Sequence, residues 1–349
     1  MLVSLVEARF ERSFRWALAG VLVVGLLAGV LIPRITAQAQ EMEPQTYPVF
    51  VGGGNAYNTQ VLAFAPQSLQ VHRGDTVTWV INSFHNIHFE EGPADLIIAP
   101  EVNGQPLPQA NPAVFFPSVE SGAVYQGGDA NSGLPVDPAN PMVTFSLVMD
   151  VEPGAYGYFC DIHPGMVGSI TVVDDATAIP SPDEALTAGA AELAMSGGQG
   201  VQAAMQAAMQ APTGAEDGEI QVQAGLQSGL AAVLEFFPSV TVIEAGQSVT
   251  WSIPSTSMEP HTITWPPPPP GSDFTMIPQD AGPPIIAVGE VFSPSVESGA
   301  EIGTGDSFNS GFMLPGQSFT LKFTEPGVYN YICYLHAGML GAVVVMPAA

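Results

Sequence analysis

The stretch EPGAYGYFCDIHPGMVGSITVV (152–173) returns as EPGVYNYICYLHAGMLGAVVVM (325–346). No other feature constrains the fold as strongly, because a repeated strand, loop and strand imply a repeated domain to hold them. The likeness extends upstream. YPVFVGGGNAYNTQVLAFAP (47–66) aligns without gaps on EIQVQAGLQSGLAAVLEFFP (219–238), and the same frame brings GDTVTWVI onto GQSVTWSI and Trp79 onto Trp251. FFPSVESGA (115–123) returns as FSPSVESGA (292–300). The 349 residues are therefore a duplication of a unit of roughly 130 residues, each copy large enough for a core of its own.

Each copy reads as strands. TVTWVI and MVTFSLVMDV in the first, and SVTWSI and SFTLKF in the second, are short β-branched and aromatic runs bounded by Gly, Pro, Asn and Asp. Neither copy carries a long helical period. The expected fold is all-β: two antiparallel Greek-key sandwiches at 47–174 and 219–349, joined by an Ala-rich, partly helical linker at 175–218. In that linker Ser181 as N-cap, Pro182 at the first helical position, and Asp183 and Glu184 in the first turn predict a helix stopping near Gly197. A second short helix, 201–210, is expected to end before Pro212. The segment reads as a semi-ordered spacer, with Met205 and Met209 on a face that packs against a domain.

The first 39 residues stand apart. Arg9, Arg12 and Arg15 precede an uncharged run, 16–32, that spans roughly 26 Å as a helix. Ala37 and Ala39 make a small-residue cleavage pattern, so the segment reads as either a cleaved signal peptide or a retained membrane anchor. In both cases the basic flank stays inside and the remainder is exported, to the periplasm or the outer face of the cytoplasmic membrane. That remainder keeps only Arg73 and Lys322 against 31 acidic residues. Such a surface excludes nucleic acid and anionic membranes as partners and favours a partner with a cationic or apolar docking face.

The chain has two cysteines, and each ends an alternating aromatic run, AYGYFC or VYNYIC. Alternation places Tyr156, Tyr158 and Cys160 on one strand face, and Tyr329, Tyr331 and Cys333 on another, with that face toward the core. A disulfide would have to join equivalent positions of two repeats, so a ligand or redox role for each thiol is the better reading. Each cysteine is followed by histidine at the third position and methionine at the sixth. Thiolate, imidazole and thioether on one loop select copper over hard cations, and a His2Cys set with a weak axial Met describes a blue-copper site. Zinc fits poorly, since structural zinc sites rarely use methionine and each copy has one cysteine.

The second histidine comes from upstream. FHNIHF offers His85 and His88, and PHTITW offers His261 alone. Aligning the two segments matches His85 to His261 and sets His88 opposite Thr264, which leaves His88 as a surface side chain. His72, in VHRGD, reads as a solvated turn residue, and WPPPPPG (265–271) as a stiff spacer.

With those residues in place, each copy resembles the cupredoxins, the plastocyanin and amicyanin type of small blue-copper protein. The short C-x2-H-x2-M loop is most similar to amicyanin. The resemblance implies one type 1 copper per copy, held by His85, Cys160, His163 and Met166 in the first, and by His261, Cys333, His336 and Met339 in the second. It also implies that the loop histidine, His163 or His336, lies under the surface as the electron port. The copies depart from the family in three ways. The first histidine and the cysteine lie further apart than in small members, so each copy carries an insert that includes PSVESGA. Phe159 and Ile332 stand where plastocyanin has a tyrosine before the cysteine. Asn86, which in the family ties the ligand loops together, is Thr262 in the second copy.

Two rival readings compete with an electron carrier. Multicopper oxidases and copper nitrite reductases wire blue copper to a second site through a histidine beside the cysteine. Here the neighbours are Phe159 and Asp161, or Ile332 and Tyr334, and the two spare histidines cannot build a catalytic copper cluster. A storage or delivery protein needs exchangeable Cu(I), whereas a sandwich holds His2Cys closed. The expectation is a non-enzymatic, exported carrier that passes single electrons between redox proteins of the cell envelope.

Overall fold

The computed structural model describes residues 43–54, 58–90, 95–102, 104–135, 143–212 and 218–348. Arg9, Arg12, Arg15, the apolar run 16–32, Ala37 and Ala39 lie outside them. Among the described residues, no helix is long and apolar enough to cross a membrane.

Both copies are two-layered β-sandwiches, and they share one layer. Ten strands form a single sheet, five from each copy in mirrored order. From the centre outward the first copy supplies Thr59–Ala65, Thr46–Gly54, Thr76–Ile81, Thr144–Met149 and Ala123–Tyr125. The second supplies Ala231–Phe237, Glu219–Ser228, Ser248–Ser252, Ser318–Phe323 and Ala300–Ile302. At the centre Thr59 faces Val233, Gln60 faces Ala232 and Val61 faces Ala231, antiparallel. Thr59 and Val61 correspond to Ala231 and Val233, so one edge meets its own repeat, as in a two-fold dimer. The pairing also covers two edges that would otherwise be left with unpaired backbone groups. The PSVESGA segments lead into the two outermost strands.

The second layers are separate five-stranded sheets of matching order. That of the first copy contains Gly154–Phe159 between His88–Phe89 and Val167–Val173; that of the second contains Gly327–Ile332 between Thr264–Trp265 and Leu340–Met346. Most pairs are antiparallel; the parallel ones include Thr46–Gly54 with Thr76–Ile81 and Glu219–Ser228 with Ser248–Ser252 in the shared layer, and Ser68–His72 with Val167–Val173 and Val240–Glu244 with Leu340–Met346 in the second layers. Between the layers Trp79 meets Tyr158 edge-on at 5.4 Å, and Trp251 meets Tyr331 at 5.1 Å. Each such pair adds about 0.5–1.5 kcal/mol beyond the area it buries. Tyr158, Cys160, Tyr331 and Cys333 are all buried, so the alternating aromatic face does point inward.

The register corrects the ungapped alignment by one residue over the first strand of each copy. Tyr47 pairs with Val77 and Ile220 with Val249, which makes Tyr47 the counterpart of Ile220 rather than Glu219. Burial decides the matter: Tyr47, Val49 and Val51 face the core, as do Ile220, Val222 and Ala224.

The linker is also corrected. It forms one helix, Pro182–Gln210, rather than two, and it runs through Gly197, Gly198 and Gly200. Ser181 does cap it, within a reciprocal capping box with Glu184. The glycines read as stop signals from propensity alone, but the helix continues through them, and Gly189 and Gly200 are points of close packing. A side chain at Gly189 would meet the Ala65 carbonyl at 2.5 Å, and one at Gly200 would meet Thr59 and Ala231 at 2.3 and 2.8 Å. The helix lies against the strands at the join, so tertiary contact outweighs helix propensity.

The inserts of the two copies meet each other. Ile97–Ile98 and Gln109–Ala110 of the first form one small sheet with Ile285–Val288 and Phe274–Ile277 of the second, Gln109 facing Ala287. Beneath it Phe115 packs on Phe274 at 5.6 Å and on Phe84, the neighbour of His85, at 6.4 Å.

Candidate metal centres

In the first copy the strand Gly154–Phe159 ends one residue before Cys160, and the chain turns back into Val167–Val173. Two hydrogen bonds close this turn: Cys160 N donates to the Met166 carbonyl at 3.0 Å, and Met166 N to the His163 carbonyl at 3.0 Å. The second copy repeats it, with Cys333 N to Met339 at 3.0 Å and Met339 N to His336 at 3.1 Å. Cysteine, histidine and methionine are thereby gathered on one short loop. Both methionines are fully buried in the core beside their cysteines. Neither cysteine is in a disulfide, in keeping with the ligand reading.

The upstream histidines complete each group. His85 Nδ1 lies 2.9 Å from His163 Nδ1 and 3.8 Å from Cys160 Sγ, and His163 Nδ1 lies 3.5 Å from that sulfur. In the second copy the corresponding separations are 3.1, 3.7 and 3.4 Å. A point about 2 Å from all three atoms exists in each triangle, close to the length of transition-metal bonds to imidazole and thiolate. Two imidazoles and a soft sulfur, held in the core with a thioether on the same loop, fit copper. Backbone makes room for the rings: a side chain on Gly52 would lie 2.4 Å from His85 Nε2, and one on Gly225 2.2 Å from His261 Nε2. Both glycines have positive φ, +70° and +67°, which other residues rarely adopt.

Around these cores the copies diverge. Asp161 N donates to Asn86 Oδ1 at 2.9 Å, and the Asn86 amide donates to Asn131 Oδ1 at 2.9 Å and to Asp161. His88 Nδ1 lies 2.9 Å from Asp161 Oδ2, and its Nε2 2.8 Å from Asp129 Oδ1. His88 is therefore a buried, ion-paired residue and not a surface side chain, because the aspartate after Cys160 needs a partner inside the protein. In the second copy Tyr334 N donates to Thr262 Oγ1 at 2.8 Å, and Thr264 Oγ1 bonds Thr262 Oγ1 at 2.9 Å and Asn309 Oδ1 at 2.8 Å. His72 also differs from expectation: it ends a strand, half-buried, with Nε2 2.9 Å from the Thr177 carbonyl.

One residue at the site was missed by sequence reasoning. Glu259 is 4% exposed and lies between the two groups. Its Oε2 is 3.3 Å from His336 Nε2 in hydrogen-bond geometry, and its Oε1 is 3.2 Å from His163 Nε2, an ion-pair contact off the N–H direction. Burial would raise its pKa, but the charges and hydrogen bonds of the two imidazoles prevail and hold it well below the carboxylate range. Burial would lower His163 and His336; Glu259 and Cys160 raise the first, and Cys333 and Glu259 the second. The Cys333 thiol, which burial alone would push up, is brought well below its ordinary value by His336 and His261. The available signal was the acid two residues before His261, where the first copy has Ser83.

A profile of copper binding proteins, plastocyanin/azurin family, matches residues 53–173 and 221–346. The chain belongs to the plastocyanin/azurin family. Each copy is a cupredoxin, so this is a tandem pair within a copper-binding, electron-transfer family. A plastocyanin of Synechococcus sp. is 32% identical over 156 residues, 43% of this chain and 86% of the relative. One from Scenedesmus fuscus is 32% identical over 116 residues, 32% of this chain and 87% of the relative. Among solved structures, amicyanin from Paracoccus versutus is 18% identical with TM-score 0.22, covering 39% of this chain and 91% of that one. A purple cupredoxin from Nitrosopumilus maritimus is 22% identical with TM-score 0.21, covering 36% and 98%.

Proposed function

We propose that the chain carries one type 1 copper in each copy and passes single electrons between redox proteins on the outer side of the cytoplasmic membrane. His85, Cys160, His163 and Met166 hold the first copper; His261, Cys333, His336 and Met339 hold the second. The observation that carries this reading is the pair of buried triangles of two imidazole nitrogens and a sulfur, built twice from equivalent residues. When bound, copper supplies a one-electron couple at each site.

The protein's part is to hold the donors still. Three donors come from one hydrogen-bonded loop, and the fourth is wedged against a glycine of the sheet, so little rearrangement accompanies a change of charge. The acidic excess outside the first 39 residues supports a partner with a cationic face, and the Arg-flanked apolar run supports export. The test is copper stoichiometry together with an absorption spectrum of the purified exported form. Two coppers per chain with intense charge-transfer colour are expected; one or none overturns the reading.

A further inference from the structure

In a single-domain carrier the loop histidine is free to face a partner. Here neither is. The His163 and His336 side chains are 7% and 10% exposed, and the outer edge of each meets Glu259 of the second copy, so that of His163 is covered by the opposite half of the chain. Met258 lies against Gly165, and Asn58 Nδ2 donates to the Gly338 carbonyl at 3.3 Å, so each ligand loop rests on the opposite copy. At the centre of this contact the two oxygens of Glu259 address one imidazole each, at 3.2 and 3.3 Å. Both rings turn Nδ1 toward their sulfur and Nε2 toward the carboxylate. The edge of each ligand that leaves its site therefore ends on the same side chain.

We propose that Glu259 joins the two centres into one relay, with an electron exchanged between them along His163, Glu259 and His336. This rests on the two-copper reading above. In the exchange one copper is oxidised from Cu(I) to Cu(II) and the other reduced from Cu(II) to Cu(I); one electron moves, and no proton need be gained or lost. Ser83, at the equivalent position of the first copy, is bonded by Gln60 at 3.3 Å instead, so among the described residues there is one such bridge and not two. A carboxylate suits the role because it accepts a hydrogen bond from His336 and pairs by charge with His163, so each ring keeps Nε2 on the carboxylate and leaves Nδ1 for the metal. Glu259 is on this account a positioning residue for both ligands. The relay also gives the duplication a purpose: the face that a lone cupredoxin offers to a partner is here spent on the second copper.

The experiment uses the full exported chain loaded with copper. A sub-stoichiometric pulse of a photoreductant reduces part of the copper under anaerobic conditions, and the redistribution between the sites is followed by absorption and by freeze-quenched electron paramagnetic resonance. The expected result is a first-order phase whose rate does not depend on protein concentration, absent from C160S and from C333S. In E259Q, with two coppers still bound, that phase slows at least tenfold; E259D, too short to reach both rings, slows it likewise if E259Q does not fold. A wild-type rate in a folded, two-copper Glu259 variant overturns the relay while leaving the two-copper reading intact, as does a phase that scales with protein concentration. Failure of the wild-type chain to bind two coppers overturns both.

Discussion

Asp161 follows the cysteine of the first copy, and Tyr334 follows that of the second, yet the backbone around them is the same. In each case the amide after the cysteine donates to the side chain after the upstream histidine, Asn86 at 2.9 Å or Thr262 at 2.8 Å. The geometric tie thus survives a change of residue. The charge does not: the first centre has a buried carboxylate between Asn86 and His88, and the second has a run of neutral hydroxyls, Thr262 and Thr264, ending on Asn309. Duplication with this pattern keeps the metal cage and varies the field around it. Two coppers of similar shape and different potential are what a directional relay requires.

The largest effect tests whether the two copies are independent centres. C160S is expected to abolish the intense visible band of the first copy and leave that of the second, and C333S the reverse, each with loss of one copper per chain. Loss of both bands from either variant sinks the two-site picture. Next in size are G52A and G225A. An added methyl would lie 2.4 or 2.2 Å from the upstream imidazole, on backbone that disfavours any side chain. Each should weaken copper binding at its own site about 10–100-fold, as displacement of a ligand's support does. Titration with a Cu(I) chelator measures this, and equal effects on both sites in G52A would show that the copies do not bind separately.

Much of this was legible in the chain. The repeat, the alternation in AYGYFC and VYNYIC, and the C-x2-H-x2-M spacing are local signals, and local signals place three donors of each site on one loop. His85 and His261 stand out as the upstream candidates because the two copies can be laid on each other. Contacts between the copies were not legible. Nothing in MEPH says that Glu259 reaches His163, nearly a hundred residues away, and nothing in SGGQG says that its last glycine, Gly200, fits against Thr59 and Ala231. His88 was misplaced for the same reason: Asp129 and Asp161 become its neighbours only when three distant segments meet. The slip of the ungapped frame has a local cause. The first copy has one more residue between its first two strands, and burial, not identity, reveals it.

The charge difference between the centres leads to a smaller, measurable effect. A buried carboxylate beside the cysteine favours the more positive oxidised metal. D161N, which keeps the shape and removes the charge, is expected to raise the potential of the first centre on the order of 60 mV, a tenfold change for a one-electron couple, at alkaline pH where His88 has lost its proton, and by less at acid pH. Spectroelectrochemistry with the second band as internal reference reads it. A potential unchanged from acid to alkaline pH would mean that His88 neutralises Asp161 throughout, and that the two copies differ in composition but not in field.

The smallest effect settles that alternative. Burial by itself would lower the pKa of His88, but its hydrogen bonds to Asp161 and Asp129 prevail, and the net shift is upward from 6.5. A histidine whose folded pKa exceeds its unfolded value binds its proton more tightly when folded. The stability it adds is complete below the unfolded pKa, about 6.5, and fades as pH rises through the higher folded value. H88Q should therefore cost most at mildly acid pH, with the gap to the parent chain narrowing as the solution is made alkaline. Denaturant midpoints collected from acid to alkaline pH measure the gap, and T264V supplies the control, since the corresponding residue of the second copy has no proton to exchange. A gap constant with pH would mean that His88 is neutral in the folded chain, leaving Asp161 as an uncompensated charge and making the larger potential shift in D161N obligatory.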